Sequence, residues 1–104
     1  MSGVVMHSEV PVDPEHREEA MATLAWMARE SRAEDGVVDY RVTVDIESPN
    51  TLRIVEEYES EAAADAHESS EHLDEFVDRI DPYLAEEAVL HRFAVAEKTT
   101  LPGP

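Results

Sequence analysis

The residues of this chain that could carry chemistry are histidines, carboxylates and hydroxyl groups, because none of its 104 residues is a cysteine. That composition excludes a disulfide framework, a thiolate metal site and a cysteine nucleophile. Five histidines are present, and imidazole is the side chain that exchanges protons near neutral pH. Only three glycines occur, and they form no glycine-rich phosphate loop. Any chemistry must therefore use imidazole, carboxylate or hydroxyl groups or a bound ligand, and nucleotide binding is not supported.

Glu56 is the acidic residue whose position most needs an explanation. Strand alternation places it with Leu52 and Tyr58 on a face that is otherwise apolar or aromatic. A buried charge without a partner is costly. Glu56 is therefore either a carboxylate in a cavity or the buried partner of an arginine, for which Arg53 and Arg41 are the candidates.

The histidines differ in what their spacing allows. His67 and His72 are five residues apart, so about 140° separates them around a continuous helix. On that geometry they share no face, and we expect no metal site. His7 and His91 fall on predicted strands that can be neighbours, and ordinary sheet residues are the favoured interpretation there.

A βαββαβ order of elements is predicted to position these residues. Asp13 before Pro14 is typical of a helix start, and Gly36 is typical of a helix end. The predicted elements are a strand at 4–10, a helix at 14–35, strands at 37–46 and 51–58 joined by a turn at 47–50, a helical region at 60–80 with a break near Ser69–Ser70, and a strand at 89–96. This is the ferredoxin-like arrangement, an α+β fold with an antiparallel sheet that carries helices on one face.

The chain length predicts one domain at 1–98 followed by a disordered tail at 99–104. Both faces of the strand at 37–46 carry apolar or semi-apolar residues, which indicates that the face away from the helices is also covered. Because a chain of 104 residues has nothing left to cover that face, we expect a homodimer through the sheet faces. Trp26 falls opposite the apolar stripe of the first helix, which indicates a second contact surface or an exposed side chain.

The excess of acidic residues is better explained by a salt-rich solvent than by a particular ligand. Twenty-five acidic and eight basic residues give a net charge of −17, which disfavours nucleic acid and anionic membranes as partners. The composition is typical of proteins from salt-accumulating halophiles, where salt screens surface carboxylates, and an acidic protein of an ordinary cytosol is the alternative. The longest apolar stretches are far short of the roughly 20 residues that span a bilayer. The start at Met1–Val4 lacks the basic and apolar regions of a signal peptide, so we expect a cytoplasmic protein.

Three stretches of the chain together resemble the antibiotic biosynthesis monooxygenase family. Residues 31–40, Ser-Arg-Ala-Glu-Asp-Gly-Val-Val-Asp-Tyr, are similar to the sR.EpGc..Y segment of that family, with Asp35 where proline is usual. The triplet at 56–58, Glu-Glu-Tyr, resembles its E-x-W, with Tyr58 in place of tryptophan. Residues 62–73 carry alanines followed by His67 and His72, as in its A...H....H stretch. The predicted strands extend the resemblance over nearly the whole chain.

The resemblance implies a dimeric α+β barrel, with two sheets face to face and a cavity between sheet and helices in each subunit. It also implies a cofactor-independent monooxygenase that oxidises a quinol or polyphenol with O2. In that enzyme His67 would accept a proton from the substrate, Tyr58 and Tyr40 would orient it, and Glu56 and His91 would contact it. The plainer interpretations are a helix-terminus histidine with local contacts at His67, and core aromatic residues on the strand faces.

Two branches of the family fit this chain less well. Haem-degrading members rely on Asn, Trp and His in the pocket, whereas the only Asn here is Asn50 in a predicted turn and the only Trp is Trp26. An isomerase of a phosphorylated signalling molecule needs cationic groups, and eight basic residues offer few.

The alternative to an enzyme is a non-catalytic dimeric module that binds a small molecule or is associated with stress. A closed apolar cavity into which His67 points would favour the enzyme. His67 packed against its own helix, without a cavity of about 300 Å³, would favour the module.

Overall fold

The computed structural model describes residues 3–104. Residues 1 and 2 belong to the predicted domain and to the chain start on which the cytoplasmic expectation rests, and they lie outside the described residues. The elements in chain order are β1 (Gly3–Pro11), a 3-10 turn (Pro14–His16), α1 (Arg17–Arg32), β2 (Val37–Asp45), β3 (Ser48–Tyr58), α2 (Glu61–Glu68), α3 (Glu71–Ile80), a second 3-10 turn (Asp81–Tyr83) and β4 (Val89–Val95). The predicted α+β ferredoxin-like fold is confirmed, with the second helical region divided into α2 and α3.

The four strands form one antiparallel sheet in the order β2-β3-β1-β4. Because side chains alternate between the two faces, the register decides which of them meet. Met6 of β1 and Tyr40 of β2 both pair with Glu56 of β3, and all three side chains are buried on the face that the helices cover. His7 pairs with His91 of β4 on the opposite, open face.

The first helix begins where Asp13 and Pro14 predict. Asp13 Oδ1 accepts a hydrogen bond from the Glu15 amide at 3.0 Å, and a 3-10 turn leads into α1. The helix stops before the predicted residue 35, and Gly36, at a φ of 81°, turns the chain into β2. A Cβ at Gly36 would lie 2.6 Å from Ala63 Cβ, so glycine also permits the close approach of α2.

The hairpin between β2 and β3 is tighter than the sequence predicts. The expected turn at 47–50 is wrong, because β3 begins at Ser48, which pairs with Asp45. Asp45 Oδ1 accepts a hydrogen bond from the Glu47 amide at 2.9 Å and so stabilises a short turn in place of a loop.

A β-bulge near the start of β2 changes which valine joins the core. Strict alternation predicts Val38 on the same face as Tyr40, but the register shifts between Val37 and Asp39. Val37 therefore packs against the core, and Val38 is 51% exposed. Ile46, which the pattern also places on the inward face, is exposed in the turn.

The predicted break at Ser69–Ser70 is confirmed. Ser70 Oγ accepts a hydrogen bond from the Leu73 amide at 3.3 Å and caps α3. The same hydroxyl donates to the His67 carbonyl at 2.7 Å and so joins the end of α2 to the start of α3. Residues on the two sides of the break therefore do not follow the angular spacing of one continuous helix.

An apolar cluster fills most of the space between the sheet and the helices α1 and α3. Its buried members include Val10, Val12, Ala20, Leu24, Met27, Ala28, Leu52, Ile54, Phe76 and Ile80. Helical spacing lines up Met21 with Leu24 and Val77 with Ile80, which predicts both as core residues, yet both are exposed. Trp26 packs partly buried against the cluster, and the guanidinium of Arg79 lies 4.4 Å from the centre of its ring. The structure therefore accounts for Trp26 through a contact with α3.

The chain after β4 has no regular secondary structure over residues 97–104. Lys98 Nζ of this tail lies 2.9 Å from Glu57 Oε2 of β3, which ties its first part to the sheet. Disorder of residues 99–104 stays a prediction. No helix within residues 3–104 combines the length and the apolar character needed to cross a membrane.

Candidate active site

The space beneath the helices becomes polar at the end of the sheet where β3 finishes. We call this group the buried polar cluster; it consists of Ser31, Glu34, Tyr40, Glu56, Tyr58, His67 and His72. Its members come from α1 and the turn after it, from β2 and β3, and from α2 and α3. The cluster therefore exists only when these elements, which are far apart in the chain, are packed together.

Glu56 lies at the centre of this cluster and is not paired with an arginine. Its Oε1 accepts a hydrogen bond of 2.6 Å from the Tyr58 hydroxyl and lies 3.6 Å from His67 Nε2. Arg53 and Arg41 pair with other carboxylates instead, so the arginine interpretation is wrong. Burial raises the pKa of the Glu56 carboxyl, while the Tyr58 hydrogen bond and a protonated His67 act in the opposite direction.

The two tyrosines of the cluster are neutral hydrogen-bond donors. Burial raises the pKa of Tyr58 and of Tyr40 far above the usual range of tyrosine, and the charge on Glu56 raises both further. Neither phenol therefore ionises near neutral pH. Tyr58 uses its proton on Glu56, whereas the Tyr40 hydroxyl lies next to Ser31.

Ser31 presents a buried hydroxyl to the same space. The Ser31 hydroxyl lies near that of Tyr40 and lowers the pKa of Tyr40 slightly against the larger effect of burial. Its Oγ nevertheless has no hydrogen-bond partner of ordinary geometry among residues 3–104. Buried polar groups are nearly always bonded, so an orphaned hydroxyl needs an explanation. The Ser31 and Tyr40 hydroxyls together form a place that could bind a polar group of a ligand.

His67 is held between two carboxylates and two aromatic rings. Its Nδ1 lies 2.9 Å from Glu34 Oε2, and its Nε2 faces Glu56. The rings of Tyr40 and Tyr58 have their centres 5.7 and 5.4 Å from that of the imidazole. At 3% exposed, His67 is part of the core, and its side-chain charge pairs and ring contacts reach other elements of the fold.

His72 meets His67 at Glu34, which contradicts the expectation from helical spacing. The Glu34 Oε2 atom contacts both His67 Nδ1 and His72 Nε2, and the two imidazole ring centres are 6.1 Å apart. The expectation that they share no face was wrong because α2 ends and α3 begins between them. The angle of about 140° applies only to an unbroken helix.

His91 does not join this cluster. It lies on β4, directly opposite His7, on the open face of the sheet, whereas His67 lies on the covered face. Phe93, beside them, packs its ring edgewise on His7 with the ring centres 5.7 Å apart. The sheet itself therefore separates His91 from the other predicted site residues of the same chain.

Two cavities of the structure lie away from His67. One of about 500 Å³ lies at the end of the sheet, where Tyr58, Glu57 and Lys98 are among its lining residues. The other, of about 270 Å³, lies on the open face and includes His7 and His91. Within residues 3–104, His67 lines neither of these two cavities. The closed cavity that was expected around His67 is therefore not found at either place.

Glu34 and Ser31 are members of the cluster that sequence reasoning did not single out. Both fall inside the stretch at 31–40 that carries the family resemblance, which is the only local signal for them. Ser31 continues the apolar stripe of α1, and Glu34 lies in the turn that follows, where the Ser31 carbonyl accepts a hydrogen bond from the Glu34 amide at 3.1 Å. That turn directs the Glu34 carboxylate towards the histidines.

The fold and this cluster define a small ferredoxin-like α+β protein with acid–base groups buried beneath its helices. Sequence comparison identifies the family to which such a protein corresponds. The profile of the antibiotic biosynthesis monooxygenase family matches residues 3–79. The chain belongs to that family.

Individual relatives agree with this assignment. A Bacillus subtilis protein with the name "Putative monooxygenase YcnE" is 31% identical over 74 residues, which cover 71% of this chain and 78% of that protein. The Synechocystis protein sll1783 is 29% identical over 98 residues, which cover 94% of this chain and 67% of that protein.

Solved structures share the fold at lower identity. A crystal structure described as a "putative antibiotic biosynthesis monooxygenase" from Deinococcus radiodurans superposes with a TM-score of 0.90 at 21% identity, covering 96% of this chain and 99% of that chain. The structure of Rv0793 from Mycobacterium tuberculosis gives a TM-score of 0.86 at 23% identity, covering 94% and 99% respectively. At these identities the likeness concerns the fold alone.

Proposed function

We propose that this protein is a monooxygenase that oxidises a quinol or polyphenolic small molecule with O2 and without a cofactor. The observation that carries the proposal is the placement of His67 between the Glu34 and Glu56 carboxylates and beside the Tyr40 and Tyr58 phenols. Family membership and the monooxygenase name of a relative support the same reaction class.

In this proposal His67 removes a proton from a substrate hydroxyl. Glu34 accepts a hydrogen bond from Nδ1–H, which leaves the lone pair on Nε2 to accept the proton. The imidazolium that results is stabilised by the carboxylates on its two sides. Tyr40, a neutral donor whose hydroxyl is not bonded to a carboxylate, stabilises the substrate anion, and Tyr58 keeps Glu56 in place.

A quinol can supply all the electrons that this oxidation needs. One quinol and one O2 give one hydroxyquinone and one water, in which both oxygen atoms of O2 are accounted for and four electrons leave the substrate. The quinol anion starts the reaction because it transfers an electron to O2 more readily than the neutral quinol does. The protein must therefore provide a base, an oriented substrate and protection of the anion from bulk water.

The substrate must reach a histidine that is 3% exposed. The Glu34 and His72 side chains, 17% and 23% exposed, form the edge of the cluster nearest to solvent. We infer that the substrate enters there by displacing His72 and passes the imidazole to reach Nε2, which faces Glu56, while Glu34 stays bonded to Nδ1. His72→Ala is therefore expected to lower KM or leave it unchanged, and to retain turnover.

Oxygen uptake with a panel of hydroquinones and naphthoquinols, measured in molar potassium chloride, tests the proposal. Uptake is expected to saturate with substrate, and His67→Ala is expected to lower kcat about 100-fold or more, as is typical for loss of a general base. His16→Ala is the matched control, because His16 also pairs with a glutamate but is exposed and lies far from His67 in the sequence. Equal uptake by the wild type and His67→Ala would overturn the proposal.

A second candidate, the non-catalytic binding module, is favoured by the burial of His67 and by the position of the two cavities away from it. In that case no quinol of the panel gives uptake above the rate without protein. A ligand would then be expected in the cavity of about 500 Å³ beside Tyr58. A Glu57→Ala variant, which alters the lining of that cavity, is then expected to weaken binding of that ligand.

We further propose that the protein is a homodimer in which the open faces of two sheets pack together. Val55, Val89 and Phe93 expose apolar surface on this face, with Phe93 49% exposed. Light scattering after gel filtration in molar potassium chloride is expected to give twice the mass of 11.7 kDa for the wild type, and the monomer mass for Phe93→Asp. The proposal includes a cytoplasm that accumulates salt, because screening of the net charge of −17 favours association.

A further inference from the structure

Three potential metal ligands from three different elements converge at the solvent edge of the buried polar cluster. They are Glu34 from the turn after α1, His67 from α2 and His72 from the first turn of α3. One ligand atom from each residue lies within 4.8 Å of the others, and this is the one such group of three found within residues 3–104. The break at Ser69–Ser70 makes the convergence possible.

We propose that Glu34, His67 and His72 bind one divalent transition-metal ion through Glu34 Oε2, His67 Nδ1 and His72 Nε2. Two imidazoles and one carboxylate are a donor set that suits Zn²⁺ and the neighbouring ions Fe²⁺, Co²⁺ and Ni²⁺, and it suits Mg²⁺ and Ca²⁺ poorly. Three protein ligands leave at least one coordination position for water or a small ligand.

The distances in the cluster permit this binding with a small adjustment. Ligand atoms about 2.1 Å from a tetrahedral ion are about 3.4 Å from one another. His67 Nδ1 and Glu34 Oε2 are 2.9 Å apart, joined by a hydrogen bond. His72 Nε2 is also bonded to Glu34 Oε2. An ion would replace the proton that each histidine shares with Glu34. To make room for it, the carboxylate must move by about one ångström or less.

The surroundings of His67 also fit a metal ligand. A metal-bound histidine usually donates its other ring N–H to a carboxylate, which fixes its orientation. His67 Nε2 faces Glu56 Oε1 at 3.6 Å, and Tyr58 in turn donates to that oxygen at 2.6 Å. A carboxylate that Tyr58 holds in place therefore lies 3.6 Å from the ring nitrogen that faces away from the proposed ion.

The partial exposure of two ligands provides a route for the ion. Side chains of Glu34 and His72 are 17% and 23% exposed, whereas that of His67 is buried. An ion can thus reach the histidines from solvent without passing through the apolar cluster.

The inference goes beyond the proposed oxidation and opposes it at His67. An ion on Nδ1 leaves the proton of the neutral ring on Nε2, where no lone pair remains to act as a base. A metal-loaded protein is therefore expected not to use His67 in quinol oxidation. The ion would act as an inhibitor of the proposed reaction, or it would assist a different one at its open position.

Histidine NMR of the wild type tests the site without any mutation. Titration with zinc chloride, in molar potassium chloride with excess magnesium to saturate surface carboxylates, is expected to shift the ring signals of His67 and His72. The signals of His7, His16 and His91 are expected to stay in place, because these residues lie outside the group. Shifts spread evenly over the five histidines, or no shifts, would overturn the proposal.

Cobalt titration measures the affinity and the donors. The visible absorption of bound Co²⁺ is expected to saturate at one ion per chain. We expect His72→Ala and Glu34→Gln to weaken binding at least about tenfold, and Glu56→Gln to weaken it about 10- to 100-fold through the loss of support behind His67. His16→Ala, which removes the exposed histidine of the His16–Glu19 pair, serves as the matched control and is expected to bind normally.

Unchanged cobalt affinity in His72→Ala and Glu34→Gln would overturn the metal site, and circular dichroism of each variant shows whether it is folded. The two proposals fail separately. Absence of metal binding leaves oxygen uptake by the wild type unaffected, and absence of oxygen uptake leaves the NMR shifts and the cobalt absorption unaffected.

Discussion

The two ends of the layer between sheet and helices are buried to the same degree but are built differently. At one end Leu24 and Leu52, each 0% exposed, belong to the apolar cluster and make only packing contacts. At the other end Glu56 and His67 are buried almost as completely, and their contacts are hydrogen bonds and charge pairs. The first end is stabilised by burial, whereas the second must offset the desolvation of its polar groups.

This difference indicates that the apolar end serves mainly to stabilise the fold, whereas the polar end serves chemistry. A layer of this size could be filled with leucine and valine at both ends, as it is around Leu24. Replacing a buried polar network by well-packed apolar side chains is often neutral or stabilising. A cluster with two carboxylates, two imidazoles and an orphaned serine hydroxyl therefore needs an explanation other than stability.

The largest expected effect is at the apolar end. Leu24→Ala removes a fully buried side chain and leaves a cavity, which is expected to lower the free energy of unfolding by about 2–5 kcal/mol. Urea unfolding in molar potassium chloride measures the change. Zinc-induced shifts of the His67 and His72 signals are expected to persist in the folded protein. A loss of less than about 1 kcal/mol would show that the two ends do not differ as described.

A smaller effect is expected from the hydroxyl of Tyr58. Tyr58→Phe removes the 2.6 Å hydrogen bond to Glu56 and leaves that carboxylate without its closest donor, so the free energy of unfolding is expected to fall by about 1–3 kcal/mol. Tyr40→Phe is the matched control, because the Tyr40 hydroxyl lies next to Ser31 and is not bonded to a carboxylate, and its effect is expected to be at most about 1 kcal/mol. Equal losses in the two variants would contradict this assignment of the bonds.

The charge of Glu56 is expected to make the contrast depend on pH. Burial raises the pKa of this carboxyl in the folded state. Its protonated form therefore contributes stability that is complete below the unfolded pKa, near 4.3, and is lost as the pH rises through the folded value. Glu56→Gln cannot ionise, so its free energy of unfolding is expected to rise relative to the wild type between pH 4 and pH 8.

Urea unfolding of both proteins across this pH range measures the difference. Glu30→Gln, at an exposed position of α1, is the control for the loss of one negative charge from a chain of net charge −17. A difference between Glu56→Gln and the wild type that stays constant, or shrinks, as the pH rises would refute the assignment.

The smallest effect is expected at an exposed ion pair outside both ends. Glu75 and Arg79 are one helical turn apart on α3, with their side chains about half exposed, at 58% and 45%. Glu75→Gln is expected to change the free energy of unfolding by less than about 0.5 kcal/mol. Thermal unfolding at low and at molar potassium chloride checks this value. A larger loss would mean that surface pairs, too, must be counted when the two ends are compared.

Much of the fold follows from local signals in the sequence. Asp13 with Pro14, Gly36 and the serines at 69–70 mark helix ends through side-chain hydrogen bonds or backbone freedom that involve only neighbouring residues. Errors arose where a local rule met a longer-range one. Val38 was placed in the core because alternation cannot show a β-bulge, which depends on the partner strand.

The site was predictable only in part. Glu56 attracted attention because a carboxylate on an apolar face is unusual, and His67, Tyr58 and Tyr40 do lie beside it. Whether His67 is a base remains a prediction that the oxygen-uptake assay tests. The arginine partners expected for Glu56 were wrong, because alternation along β2 and β3 places Arg41 and Arg53 on the open face, opposite to Glu56.

The sequence by itself determined the α+β order of elements, the helix break and the membership of the family, because these depend on neighbouring residues and on similarity along the chain. Only the tertiary structure decided that Glu34 joins His67 and His72, and that His91 faces away from them. The physical reason is that both results depend on how separate elements are oriented. The direction of α3 after the break and the register of β4 on β1 are set by packing and hydrogen bonds between residues far apart in the chain.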